Sequence, residues 1–135
     1  MRVRQITVPP NSRKARAFTL IEMMVAMAIL ALVLTIAMPK YFRSLDNAKE
    51  SVLMQNLNTT RDVIDKFYGD TGRYPDSLGE LVEKRYLRGL PYDPITQSSR
   101  TWIITAPDPP ARGQVYDLHS GARGATRDGR AYGSL

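Results

Sequence analysis

The chain has 135 residues, enough for one small domain, and no cysteine, which excludes disulfides and thiolate metal sites. Its formal charge of +6 would suit a nucleic-acid or anionic-lipid partner. The distribution argues against that reading for the folded part. Residues 1–17 carry Arg2, Arg4, Arg13, Lys14 and Arg16 and no acid; of 19 basic side chains these five leave 14 against 13 acids, a net of +1. The excess is a basic arm, where a nucleic-acid binder would show a basic patch on the domain itself. Pro9-Pro10 keeps part of that arm out of a helix.

Residues 18–38 form an apolar run of 21 residues, interrupted only by Thr19, Glu22 and Thr35. As a helix the run is roughly 31 Å long, enough to cross a hydrocarbon core. A core helix apolar on all sides would need more protein around it than this chain has left. A secretory signal has a shorter apolar region, about 7–15 residues, whereas this run continues into Pro39, Lys40 and Tyr41. The run therefore reads as a membrane span. Five cations precede it, against Lys40, Arg43 and Lys49 just after it, which favours a cytoplasmic N-terminus and an exported C-terminal part.

Glu22 is the costly residue. A central acid in a membrane helix costs ~2.5–3.5 kcal/mol on insertion scales, less near an end. Such a group is a functional hypothesis in search of a partner; the plainer alternative is a carboxylate near the interface that reaches water. No neighbouring cation in the sequence supplies the partner.

Pro39 lacks an N–H and predicts a kink or local unwinding just past the apolar run. The pattern then turns amphipathic. Leu53, Leu57, Thr60, Ile64 and Phe67 share one helix face, with Leu45, Ala48 and Val52 extending it upstream, while Arg61, Asp62, Asp65 and Lys66 fall on the other side. Gly69 and Gly72 end a single helix running from Phe18 to about Tyr68. Ser77 and Glu80 make a capping box for a short helix with Leu78, Leu81 and Val82 turned inward. Residues 90–100 are loop-like. Residues 101–105 read as a strand and 114–120 as a second one, with Val115, Asp117 and His119 alternating against Tyr116 and Leu118. The expected fold is α+β: a long N-terminal helix, half membrane-spanning and half amphipathic, packed on a small antiparallel sheet. Its parts are an arm over 1–17, a span over 18–38, an amphipathic half over 39–68 and a small head over 69–135 with a flexible tail.

Chemistry-bearing patterns are missing from the sequence. His119 has no second His or Cys to make a metal set. There is no G-x-S-x-G, phosphate loop or dinucleotide fingerprint. Asp70, Asp76, Asp93 and Asp117 are scattered and read as turn, cap or surface residues. The expectation is a protein without catalytic activity.

The stretch RAFTLIEMMVAMAILALVLTIAMPKYF resembles the N-terminal signature of type IV pilins and type II secretion pseudopilins. Phe18, Thr19, Leu20 and Glu22 match it residue by residue, and Pro39 stands where pilins commonly carry a helix-bending proline. The resemblance implies a leader over 1–17, cleavage by a prepilin peptidase between Ala17 and Phe18, and N-methylation of Phe18. The family usually has glycine before the cut; this chain has the small residue Ala17. The resemblance also implies assembly through Glu22, which would meet the new Phe18 amine of a neighbouring subunit.

The segment YGDTGRYPDSLGELVEKRYL resembles the pseudopilin stretch after the long helix. YDLHSGARGATRDG resembles the C-terminal segment of the major pseudopilin, whose loop binds calcium. Here only Asp117 and Asp128 remain as acids, among Arg123, Arg127 and Arg130, so no cofactor is expected, with calcium as the alternative. The family points to a pseudopilin subunit of a short periplasmic filament in a type II secretion system. The alternative is a minor pilin of a type IV pilus machine serving adhesion, motility or DNA uptake. Implied partners are the prepilin peptidase, other pseudopilins or pilins and an inner-membrane assembly platform. Two competing classes stand beside it: a single-pass membrane protein with an adaptor head, and a nucleic-acid-binding pilin using Arg123, Arg127 and Arg130, the less favoured partner.

Overall fold

A computed structural model describes residues 17–108 and 113–135. The leader expected over 1–17 thus lies, apart from Ala17, outside the described residues. The described chain is α+β, in the order α1 (Leu20–Thr71), α2 (Leu78–Glu83), β1 (Trp102–Thr105), β2 (Asp117–Ser120) and a short 3-10 helix, Tyr132–Ser134. The chain divides after Pro39 into two compact units, which are described separately.

The first unit holds the apolar start of α1. This helix is long and apolar enough to cross a membrane, and no residue of its most apolar stretch is buried inside the protein. Thr35 satisfies its hydroxyl within the helix, donating to the Ala31 carbonyl at 2.8 Å, the usual solution for a hydroxyl that has no water to reach. Pro39 lies inside α1 without a break in the helix, so the local unwinding expected there does not occur.

The second unit begins at Lys40. Leu53, Leu57, Thr60, Ile64 and Phe67 are the buried residues of α1, spaced so that each falls on one stripe of a 3.6-residue helix. The four apolar ones meet Leu78 and Leu81 of α2, Val115, Leu118 of β2 and Leu135 in one apolar cluster. The stripe stops at Leu53. Leu45, Ala48 and Val52, expected to extend it, are exposed, because that cluster draws on nothing upstream of Leu53. The helix outlasts the expected end: Gly69 is still helical, and Gly72, at φ +70°, closes it by donating its N–H to the Tyr68 carbonyl at 2.8 Å.

Ser77 caps α2 through the Glu80 N–H at 3.2 Å. Glu80 answers by accepting from the Asp76 N–H at 2.7 Å and gripping the Arg73 guanidinium with both oxygens. Val82 is only half-buried. The sheet has two antiparallel strands, with Trp102 opposite Ser120 and Thr105 opposite Asp117. The second strand starts three residues later than expected. The Gln114 and Val115 N–H groups both donate to the Pro75 carbonyl at 3.0 Å, so these two residues pair with the α1–α2 connection, and only at Tyr116, whose N–H donates to the Thr105 carbonyl at 2.9 Å, does the chain turn to β1. Consequently Val115, Leu118 and Ser120 are buried, while Tyr116, which strict alternation puts on the same side as Leu118, is exposed.

The tail, expected to be flexible, is packed. Ala125 and Ala131 form a bridge, Thr126 is buried, and Leu135 joins the core. Gly121 is required where the tail leaves β2: a Cβ there would sit 2.0 Å from the Thr101 carbonyl oxygen.

Candidate functional site: the start of the apolar helix

Ala17, Phe18 and Thr19 precede α1 and are exposed. Thr19 is its cap. Its hydroxyl accepts from the Glu22 N–H at 3.2 Å, and the Glu22 carboxylate reaches back to the Thr19 N–H at 3.0 Å and the Thr19 hydroxyl at 3.2 Å. This is a reciprocal capping box, two orphan helix donors satisfied by two side chains. The Thr-x-x-Glu spacing is the sequence signal for it, and it gives Glu22 a polar partner in its own chain where the charge alone points to a cation. Both returning bonds end on Oε2, and Oε1 makes no hydrogen bond to a described residue. The site thus places a carboxylate with one open oxygen four residues from the Phe18 amide, at the positive end of a helix dipole.

The acids of the head have structural partners. Asp117 Oδ1 accepts from Arg61 Nε at 2.7 Å. The same guanidinium donates to the Leu118 carbonyl at 3.0 Å and to Leu135 at 2.7 Å. Arg61 was expected to face away from the head. It lies on the border of the stripe, four residues after Leu57 and three before Ile64, and points in. Asp93, fully buried, accepts from the Ser120 hydroxyl at 2.5 Å and from the Ile95 N–H at 2.8 Å, fixing the loop before β1. Asp70 accepts from the Tyr86 hydroxyl at 2.9 Å, which holds that phenol above its ordinary range. Asp76 lies 3.7 Å from Arg73. Glu80 is held below the usual carboxylate range, chiefly by its hydrogen bonds from Arg73 and then by that from the Asp76 N–H. Among the described residues no three His, Cys, Asp or Glu side chains cluster as metal ligands; Asp117 is bound to Arg61, and Asp128 is exposed. His119 Nδ1 lies 2.7 Å from the Leu135 oxygen.

An apolar helix capped by Thr19 and Glu22, continuing into a stripe that carries a small α+β head, defines a pilin-like protein. Residues 12–38 match the family model described as the prokaryotic N-terminal methylation motif. The type II secretion system core protein G of Dickeya chrysanthemi is 29% identical over 98 residues, 61% of this chain and 64% of that protein. The type IV major pilin protein PilA of Myxococcus xanthus is 32% identical over 66 residues, 49% of this chain and 30% of that protein. The aligned part of the chain thus spans less than two thirds of either relative. No solved structure gives a significant match. The N-terminal motif and both relatives support a pilin-like or pseudopilin family for the chain.

Proposed function

We propose that the chain is a pseudopilin of a type II secretion system. It would sit in the bacterial inner membrane with its N-terminus cytoplasmic and its head periplasmic, and act without catalytic activity of its own. The observation that carries the reading is the exposed Ala17–Phe18 peptide followed at once by the Thr19–Glu22 cap. A prepilin peptidase hydrolyses that peptide and releases an amine at Phe18, which is then methylated and remains cationic. A lone carboxylate in lipid is costly, and a paired one much less so. The Thr19 bonds occupy one oxygen of Glu22, leaving the other for the Phe18 amine of a neighbouring subunit. Cleavage thereby creates the counter-ion for assembly, and the inner-membrane platform adds subunits to a short filament. Pro39 is the proposed bending point. The head needs no calcium in this reading: Arg61 takes up Asp117 and ties β2 to the end of the chain.

A second reading, a pilin of a type IV machine, is favoured by the likeness to the Myxococcus pilin. Both readings predict processing. The test is the intact mass of the protein recovered from membranes that express a prepilin peptidase. The expected product starts at Phe18 and carries one added methyl group. An unprocessed chain starting at Met1 would sink both.

A further inference from the structure

Residues 40–135 carry 14 basic and 12 acidic side chains, a net of +2. That excess is concentrated in one place. An open cleft of about 700 Å³ lies between α1 and the folded tail, with Arg43 and Lys49 on the helix side and Arg123 and Arg127 on the tail side. A smaller adjoining hollow adds Arg130. The acids of these hollows are Asp46, Glu50 and Asp128, so five cations face three acids and the rest of residues 40–135 is balanced, nine against nine. Glu50 is already engaged, accepting from the Tyr132 hydroxyl and the Arg127 N–H, each at 3.1 Å. None of the five cations forms an ion pair with a described residue, whereas Arg61 and Arg73 are both paired. The cleft is a preformed hollow with an excess of cations, none of them tied up in an ion pair with a described residue.

Its place in the chain identifies the anion. Arg43 stands five residues after Met38, the last residue of the apolar run. Five residues reach at most about 18 Å in any conformation, and the headgroup zone of a bilayer is roughly 5–8 Å deep beyond the hydrocarbon. A chain anchored by residues 18–38 therefore holds Arg43 no more than about 10–13 Å beyond the headgroup zone even at full extension, so the cleft stays beside the bilayer surface. We propose that the cleft binds the phosphate of an anionic phospholipid headgroup in the leaflet on the side of the head. The proposal rests on membrane anchoring alone and holds whether or not the chain is processed or assembles.

The test uses the full chain in a zwitterionic detergent, with retained lipid counted by native mass spectrometry. Phosphatidylglycerol and phosphatidylcholine of identical acyl chains meet the apolar helix equally, so a preference reads the headgroup. The wild type should retain phosphatidylglycerol on the order of 10-fold better, and the preference should fall with added salt. The variant Arg43→Gln/Arg123→Gln/Arg127→Gln should lose it. Lys66→Gln/Lys84→Gln/Arg88→Gln removes the same charge elsewhere and should keep it. Arg43→Gln/Lys49→Gln leaves the folded tail untouched and should weaken the preference several-fold, which covers the case of a tail variant that does not fold. The proposal is overturned by equal retention of the two lipids, or by a cleft variant that melts like the wild type and keeps the preference. Competition by inorganic phosphate as strong as that of the lipid would also overturn it, as would stronger competition by an oligonucleotide, which would mark a free-anion or nucleic-acid site.

Discussion

Thr19 and Glu22 act on each other before either acts on a partner. The Thr19 hydroxyl caps α1, and the Glu22 carboxylate returns two bonds to Thr19. The charge that looks uncompensated in the sequence is the far half of a cap, and what remains open on it is a single oxygen. Removing the hydroxyl removes one bond in each direction. Thr19→Ala should cost about 1 kcal/mol of local helix stability and free the carboxylate to rotate away from the position it now holds. Amide hydrogen exchange at Leu20, Ile21 and Glu22 in micelles measures this: exchange should speed roughly 5-fold in Thr19→Ala and stay near wild type in Thr19→Ser. Unchanged exchange in Thr19→Ala would mean that the cap contributes nothing. The hydroxyl of Thr35 makes a useful contrast, since its proton is used within its own helix, on the Ala31 carbonyl.

Among the elements, α1 carries the head on one stripe, and the stripe has a sharp beginning. Leu57 is fully buried and Leu45 is exposed, although both belong to the same apolar periodicity. Leu57→Ala should destabilise the head by about 2–5 kcal/mol, while Leu45→Ala should change its stability by less than about 0.5 kcal/mol. Chemical unfolding followed by Trp102, whose indole donates to the Pro91 carbonyl at 2.8 Å, reports both. An equal loss in the two variants would show that the stripe starts earlier than Leu53. Periodicity marks the long helix and its core face, the Ser77–Glu80 capping box marks the short α2, and both strands read from their own residues, because each of these signals is local. Periodicity could not say where the stripe gains a partner, since that depends on which distant segments fold back. The same limit explains the tail. Its Gly- and Arg-rich composition looks flexible, yet Leu135, Arg61 and Glu50 hold it through contacts 74 to 82 residues apart in sequence. The start of β2 was misplaced for a related reason: Gln114 and Val115 donate to Pro75, a competitor that no local pattern reveals.

Taken whole, the head has a stability that pH should erode from both sides, by different groups. On the acid side, Arg73 and the Asp76 N–H stabilise the ionised Glu80, so its pKa is lower folded than unfolded. Its contribution is present above the ordinary carboxylate pKa and is lost as pH falls through the depressed folded value. On the alkaline side, Tyr74, Tyr86 and Tyr132 are all raised: Tyr74 and Tyr132 chiefly by burial, Tyr86 chiefly by its hydrogen bond to Asp70. A phenol with a raised folded pKa contributes stability below its unfolded pKa, about 10, and that contribution is lost as pH rises through the folded value. The melting temperature of the full chain in micelles should therefore be level through the neutral range and fall at both ends. Glu80→Gln should lower the plateau and flatten the acid fall, because the group that titrates there is gone while the cation of Arg73 loses its partner. Tyr86→Phe should leave the acid limb unchanged and weaken the alkaline fall. An acid limb identical in Glu80→Gln and wild type would overturn the assignment of the acid loss to Glu80.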